Sequence, residues 1–282
     1  MAVALIFCVE ENAVFVYMKE EITMKKIISM TLIAATMLAL IAGCGASKQE
    51  AASNESGLST VKAGTLTMAT NAYFPPYEYY DGDAIVGIDA DIAAAIADKL
   101  GLELVIEDME FDSIITAVST GKADMGLAGM TVTEERLQNI NFSTTYATGV
   151  QSIIVKADSG ITSCDDLAGK TIGVQLATTG DIYASDDPNF GGVDQYNKGN
   201  DAIMALSQGK VDAVIIDNEP AKSFVSMTEG LMILDTEYAV EEYAACIAKE
   251  NTALLEAVNK ALAELKADGI LDAIVAKYIS AE

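Results

Sequence analysis

The sequence predicts an α/β protein of two lobes, and two observations carry that expectation. The first is an internal repeat. Ile115-Thr-Ala-Val-Ser-Thr-Gly-Lys-Ala-Asp-Met125 reads against Ile203-Met-Ala-Leu-Ser-Gln-Gly-Lys-Val-Asp-Ala213, with Ile, Ala, Ser, Gly, Lys and Asp in register at a constant offset of 88 residues. In each copy an apolar helical stripe stops at a glycine, Gly121 or Gly209, and a short apolar strand follows. Glycine suits the left-handed position just past a helix. One repeat of this length is too few for a solenoid and fits a duplicated helix–turn–strand unit, one per lobe. The second observation is where the repeat leads. Carried forward, Gly129 aligns with Asp217, each just past the C-terminal end of its strand. Open parallel sheets place their ligands there. Arg136 follows Gly129 and is the only arginine among 282 residues. Arginine is hard to replace where a planar, always-charged fork must hold a carboxylate by two parallel hydrogen bonds. A chance surface arginine in a lysine-rich chain is the plainer alternative. If the lobes face each other, Arg136 and Asp217 point into one cleft, and their charges match those of a free α-amino acid.

Composition narrows the function classes. The length admits one domain of moderate size or two small ones. A formal charge of −25 makes nucleic acid a poor partner, because phosphate binding needs basic patches. The chain has 0 histidines, so the usual general base and the commonest metal ligand are missing, and neither a metal nor a cofactor is expected. Cys8, Cys44, Cys164 and Cys246 form neither a CxxC pair nor a zinc spacing.

The N-terminus reads as a targeting segment. Lys25 and Lys26 follow Met24, Ile27 to Ala42 is uncharged and mostly apolar, and Ile41-Ala-Gly-Cys44 closes the run. This resembles the lipobox of a bacterial lipoprotein signal peptide, with Cys44 as the lipidated first residue of the mature chain. A transmembrane helix would want about 20 apolar residues. Glu10, Glu11, Glu20 and Glu21 precede the basic segment, so translation is expected to start at Met24. Residues 1–43 are thus expected to be signal peptide, with 1–23 a mis-assigned start. Residues 44–64 are expected to be a lipid-anchored tether, with a reach of roughly 20–25 Å. Most of the acidic charge lies beyond Cys44, so a bound carboxylate needs a strong local positive site.

Along the folded part, Thr65–Thr70 alternates like a strand. Asn71 to Tyr80 reads as a loop by its two prolines, and its tyrosines form a stacking wall or pack beneath the loop. Asp81-Gly-Asp83 is a turn. Asp89 suits an N-cap for a helix carrying Ile92, Ile96 and Leu100 and closed by Gly101. Leu102–Glu107 reads as a strand, Asp112 as the cap of the next helix, and Thr133 as the cap of a short helix holding Arg136. Ile153–Lys156 and Thr171–Gln175 read as strands. Leu176-Ala-Thr-Thr-Gly-Asp181 opens a helix whose free amides suit an anion. Gly169-Lys-Thr171 is no P-loop, because the leading glycine position holds Cys164. Pro220 suits the first turn of a helix after Asp217. Two amphipathic helices, broken at Gly269, end the chain. Cys164 and Cys246 read as reduced and apolar, and an exported protein also permits a disulfide between them.

In this order, on a lipoprotein, several segments resemble the bacterial extracellular solute-binding proteins for polar amino acids, the receptors of ABC importers. They are Phe74-Pro-Pro-Tyr-Glu78, Gly-x-Thr-x-Thr-x-x-Arg from Gly129 to Arg136, Gly169-Lys-Thr-Ile-Gly-Val-Gln175 with Ala-Thr-Thr-Gly180, and Asp217. The resemblance covers Thr65 to Tyr278. It implies two Rossmann-like lobes joined by two hinge crossovers, a type II periplasmic-binding-protein-like fold that closes on its ligand. Lobe I would be residues 65–148 plus 246–282 and lobe II residues 149–245. The crossovers would lie near Tyr146–Gln151 and Tyr243–Cys246, with Ala244 or Ala245 where the family usually has glycine.

The resemblance also implies residue roles. Arg136 would grip the α-carboxylate, helped by the amides of Thr131 and Thr179 and the Thr178 hydroxyl. Asp217, the Gly129 carbonyl and the Thr131 hydroxyl would take the α-ammonium, and Phe74 and Phe111 would sandwich the ligand's stem. Members that bind cationic side chains often carry aspartate at the place of Asn71. With Gln175, Asn71 suits a neutral polar side chain such as that of glutamine or cystine, and a basic one stays open. The implied partners are a membrane permease and the lipid anchor, for a monomer outside the cytoplasm. The same fold hosts enzymes such as cyclohexadienyl dehydratases, which need an acid or base in the cleft; Glu78, Glu110 and Asp112 are the candidates. A ligand-sensing subunit is a third reading.

Overall fold

The computed structural model describes residues 52–53, 58–235 and 238–279. The signal peptide, the Met24 start, Cys8 and lipidation at Cys44 lie outside the described residues. The first pairing is a short antiparallel ladder of β1 (Ala52–Ser53) with β2 (Ser59–Thr60). This corrects the tether's C-terminal end. Leu58 and Thr60 are buried, Asn251 Nδ2 donates to the Ser59 carbonyl, and the Val61 N–H donates to Asp124. A polar stretch without apolar period reads as linker, but here its backbone groups find partners on the first lobe.

The strand β3 (Thr65–Thr70) is buried along its whole length. After it come β4 (Tyr73–Phe74), β5 (Glu78–Asp81) and β6 (Ala84–Val86), a small antiparallel meander where the sequence suggested a loop. Pro75 and Pro76 sit in the turn between β4 and β5, where the ladder needs no N–H from them. The aromatic side chains divide: Tyr77 is buried, stacked on Phe74 and edge-on to Tyr243, while Tyr80 is exposed.

Helix α1 (Ile88–Leu100) buries Ile92 and Ile96 and ends at left-handed Gly101. It begins after Gly87 without a side-chain cap, so Asp89 does not play its expected part. β7 (Glu103–Asp108) runs parallel to β3. Helix α2 (Phe111–Ser119) likewise has no side-chain cap; Asp112 lies in its first turn and accepts from the Ser113 hydroxyl. β8 (Met125–Gly126), a 3-10 turn at Arg136–Gln138 and β9 (Ile140–Phe142) complete the outward path.

The long strand β10 (Ala147–Lys156) carries the chain into a second sheet. There follow β11 (Thr171–Gln175), α3 (Thr179–Asp186), β12 (Gly192–Tyr196), α4 (Gly199–Ser207), β13 (Ala213–Asp217), α5 (Asn218–Met227) and β14 (Leu231–Ile233). β15 (Ala239–Tyr243) and β16 (Cys246–Ala248) lead back, and α6 (Thr252–Ala267) and α7 (Ile270–Tyr278) pack against α1. The first sheet has the order β7-β3-β8-β16-β9 and the second β12-β11-β13-β10-β14, with β15 also on β10.

Both crossings between the sheets are extended, and they pair with each other: Ala147 opposes Tyr243 and Gln151 opposes Ala239, antiparallel. Gly149 lies under the Tyr243 ring, where a Cβ would stand 2.3 Å from the phenol oxygen. Cys164 and Cys246 are not joined by a disulfide. Burial pushes the Cys246 thiol up to about 12.

The repeat has a structural counterpart beyond its helices. Gly121 and Gly209 both adopt left-handed φ, at 72° and 71°. The repeated aspartates then make the same two-way bond to a neighbouring strand. Asp124 N–H donates to the Thr67 carbonyl at 2.9 Å and Asp124 Oδ2 accepts the Thr67 N–H at 2.7 Å. Asp212 N–H donates to the Thr171 carbonyl at 2.8 Å and Asp212 Oδ2 accepts the Thr171 N–H at 2.9 Å. Asp124 also holds the Val61 N–H and is buried, whereas the Asp212 bond is exposed. Asp124→Ala should therefore lower stability in urea by about 1–3 kcal/mol, the cost of orphaning buried donors, and Asp212→Ala by less.

Candidate ligand-binding cleft

The strands β3, β8, β11 and β13 end toward one gap between the sheets, and the sequence-predicted residues collect there. Asn71 follows β3, Phe74 lies in β4, and Phe111 opens α2. Gly129, Thr131 and Arg136 follow β8. Gln175 ends β11, Thr178 and Thr179 start α3, and Asp217 ends β13. All of them line one pocket with an empty volume of about 430 Å³, counted out to its mouth. Glu78, Ala128, Gln151, Ile216 and Tyr243 complete the lining. Glu110 and Asp112, the other acids considered for catalysis, are not among the lining residues.

Arg136 is only 6% exposed. Thr133 Oγ1 accepts its backbone N–H, which fixes the start of the 3-10 turn. Its guanidinium lies over the Phe111 ring, 5.4 Å from the centroid. Nη1 donates to the Thr131 carbonyl at 2.8 Å, and Nη2 reaches across the cleft to the Ala177 carbonyl at 3.0 Å. Ala177 is the one non-glycine with left-handed φ, 62°, among the described residues. Such a conformation costs of order 1–3 kcal/mol. It turns the Ala177 carbonyl to Arg136 while its N–H donates to Asp181. Among the described residues no carboxylate lies within ion-pair distance of Arg136. Burial lowers the guanidinium's pKa, and the charge of Glu241 works in the opposite direction. A buried cation that has only carbonyls as partners is suited to an incoming anion.

The opposite wall is acidic. Asp217 is 1% exposed; Oδ2 accepts from the Tyr243 hydroxyl at 2.7 Å and the Val150 N–H at 3.0 Å, and Oδ1 accepts the Glu219 N–H, capping α5. Burial raises its pKa to about 7, against the pull of those hydrogen bonds. Thr178 differs from expectation. Its hydroxyl donates its single proton to the Gln175 carbonyl and accepts the Asp181 N–H, so it caps α3 and has no proton left for a carboxylate.

Asp89, expected as a helix cap, lies beneath this site. Its Oδ2 accepts the Gly129 N–H at 2.8 Å and the Tyr146 hydroxyl at 2.7 Å, which holds the Gly129 turn in place. Its Oδ1 and Glu78 Oε2 are both buried without a hydrogen-bond partner, and the two carboxyl groups are close enough for each to perturb the other's ionisation. Burial, and next the Asp89 charge, push Glu78 well above the carboxylate range, while burial takes Asp89 to about 6.

Several contacts cross the gap. Besides Arg136 to Ala177, Gln175 Nε2 donates to Asn71 Oδ1 at 3.0 Å, the Thr131 and Thr179 hydroxyl oxygens lie 3.4 Å apart, and Lys198 Nζ sits 3.5 Å from the Tyr73 ring centroid. Glu241, on β15, was not singled out from the sequence. It is buried, and Oε2 accepts from Thr131 Oγ1 and Thr179 Oγ1, each at 2.9 Å, and from Gln151 Nε2 at 3.1 Å. The sequence signal pointed the other way: Val240 is 63% exposed while Glu241 faces inward, in phase with Tyr243.

The model of the bacterial extracellular solute-binding proteins, family 3, matches residues 66–281. The chain belongs to this family. Curated relatives of this family member are amino-acid-binding extracellular proteins of ABC transporters. It is 34% identical over 257 residues to the arginine-binding extracellular protein ArtP of Bacillus subtilis, covering 90% of this chain and 98% of that protein. Its structure resembles a mutant of ArgBP from T. maritima, with a TM-score of 0.74, 40% identity, and 77% of this chain and 96% of the other covered. An ancestral arginine-binding protein bound to glutamine is similar to the same degree, with a TM-score of 0.74, 40% identity, and 77% and 99% covered. The architecture is the type II periplasmic-binding-protein fold. Among the described residues no helix is long and apolar enough to cross a membrane.

Proposed function

We propose that this protein is a receptor outside the cytoplasm, anchored through Cys44, that closes on a polar amino acid and delivers it to an ABC permease. Arg136 grips the α-carboxylate, joined by the Thr131 and Thr179 amides. Asp217, with the Gly129 carbonyl and the Thr131 hydroxyl, takes the α-ammonium, and Phe74 and Phe111 flank the stem. The observation that carries this reading is that a buried arginine without an ion pair and a buried carboxylate line the same pocket. Of the acids considered for catalysis, only Glu78 lines the pocket, and it is buried.

Two backbone carbonyls set the polarity of the side-chain end of the pocket. Asn71 Nδ2 donates to the Met109 carbonyl, so Asn71 Oδ1 faces the cleft. Gln175 Nε2 donates to Asn71 and to the Asn197 carbonyl, which commits both its protons and leaves Oε1 as acceptor. An acceptor-lined end favours a side chain that donates, and rejects a carboxylate. Guanidinium fits best and an amide next, in keeping with relatives named for arginine and one seen with glutamine. In a thermal-shift panel of the twenty amino acids, arginine, histidine and glutamine should raise Tm, with stabilisation of about 2.7 kcal/mol at a hundredfold excess over Kd. Aspartate and glutamate should not. Stabilisation by glutamate, or consumption of the ligand, would overturn this reading.

A further inference from the structure

Glu241 lies on the return strand of the hinge, yet it meets both lobes. Thr131 follows β8 in the first lobe, Thr179 opens α3 in the second, and Gln151 lies on the opposite hinge strand. All three donate to the same carboxylate oxygen. Each threonine hydroxyl has one proton and two lone pairs. An ionised carboxylate is the strongest acceptor within reach of either, so both protons go to Glu241. The two hydroxyl oxygens, 3.4 Å apart and both on the pocket wall, then offer only lone pairs to what lies between the lobes.

We propose that Glu241 is a positioning residue that couples lobe closure to recognition of the ligand's α-ammonium: it takes one hydroxyl proton from each lobe and so turns Thr131 and Thr179 into a paired acceptor. This rests on the amino-acid-binding reading above. Neither the carboxylate nor its hinge strand need touch the ligand. Closure brings Thr131 and Thr179 to one oxygen, and only then does the acceptor pair exist. Tyr183 of α3 also approaches this carboxylate, and its phenol is raised to about 12 by burial and then by Glu241. Leucine at 241 would keep much of the bulk and remove the acceptor, which frees both hydroxyl protons to face the ammonium, whereas the amide oxygen of a glutamine could still accept them.

The test compares L-arginine with 5-guanidinopentanoate, its analogue without the α-ammonium, by calorimetry on the wild type and on Glu241→Leu. If the panel selects another amino acid, that one and its des-amino analogue take their place. Glu241→Leu should reduce the preference for the amino acid over the analogue by roughly tenfold or more. A purely structural role would weaken both ligands in proportion, and an unchanged preference overturns the proposal. Thr179→Ser and Thr179→Val provide a second comparison should Glu241→Leu not fold. Serine should keep the preference and valine should lose it; equal preference in both also overturns the proposal. Wild-type protein that binds no amino acid at all would instead refute the proposed function.

Discussion

Arg136→Ala is expected to weaken amino-acid binding by roughly 30-fold or more. Losing one partner of a charge pair in a closed cleft costs about 2–5 kcal/mol, and each 1.4 kcal/mol is a decade in Kd. The chain has no second arginine to substitute, and Lys198, which reaches across the gap, is held over Tyr73. Arg136→Lys should also bind poorly. An ammonium lacks the planar fork that reaches the Thr131 and Ala177 carbonyls while offering donors to a carboxylate. The side chain also spans the gap, so both changes should shift the ligand-bound protein toward an open form, visible as a larger radius of gyration by X-ray scattering. Unchanged affinity for Arg136→Ala in calorimetry would remove the carboxylate site from the reading.

The second large effect concerns Asp217 and depends on pH. Burial raises its folded pKa to about 7, well above the ordinary aspartate value near 3.9. The sign follows from linkage. A raised carboxyl pKa means that the folded ligand-free protein holds a proton that the unfolded chain has lost. This contribution to stability is fully present below about pH 4 and is lost as pH rises through about 7. Ligand binding shows the opposite trend. An ammonium pairs with the ionised form, so affinity should rise by up to about tenfold per pH unit from pH 5 toward 7 and level off above. Binding below pH 7 should release a proton, measurable by calorimetry in buffers of different ionisation enthalpy. Asp217→Asn keeps the side-chain oxygen that accepts the Glu219 N–H and removes the charge. It should lose roughly 30-fold at pH 8, little at pH 5, and with it the pH dependence. An Asp217→Asn protein as tight as wild type at pH 8 would show that the ammonium goes elsewhere.

Gly129, Arg136 and Asp217 were legible in the sequence for a local reason, while Asn71, Phe74, Phe111, Thr131 and Gln175 entered through the family resemblance. A repeat, a strand end and a following glycine place a residue at the mouth of a parallel sheet whatever the rest of the chain does. The misreadings share a different cause. Asp89 and Asp112 stand where helix caps often stand, but Asp89 is drawn inward by the Gly129 N–H and the Tyr146 hydroxyl, remote in sequence. The end of the expected tether looked like linker because its side chains are small and polar, and its anchors are backbone groups, which composition does not show.

The sequence by itself determined the duplicated α/β units, the strand ends that face each other, and the lone arginine and the aspartate set there, because periodicity and glycine chemistry act over a few residues. Only the tertiary structure decided which further acids sit beside them. Glu241 is buried because Thr131, Gln151 and Thr179, between 62 and 110 residues away, all donate to one oxygen of its carboxylate. Asp89 is held by the Gly129 N–H and the Tyr146 hydroxyl, which lie far from it in sequence. A buried charge is stable only where its hydrogen-bond partners converge, and that convergence is a property of the folded chain.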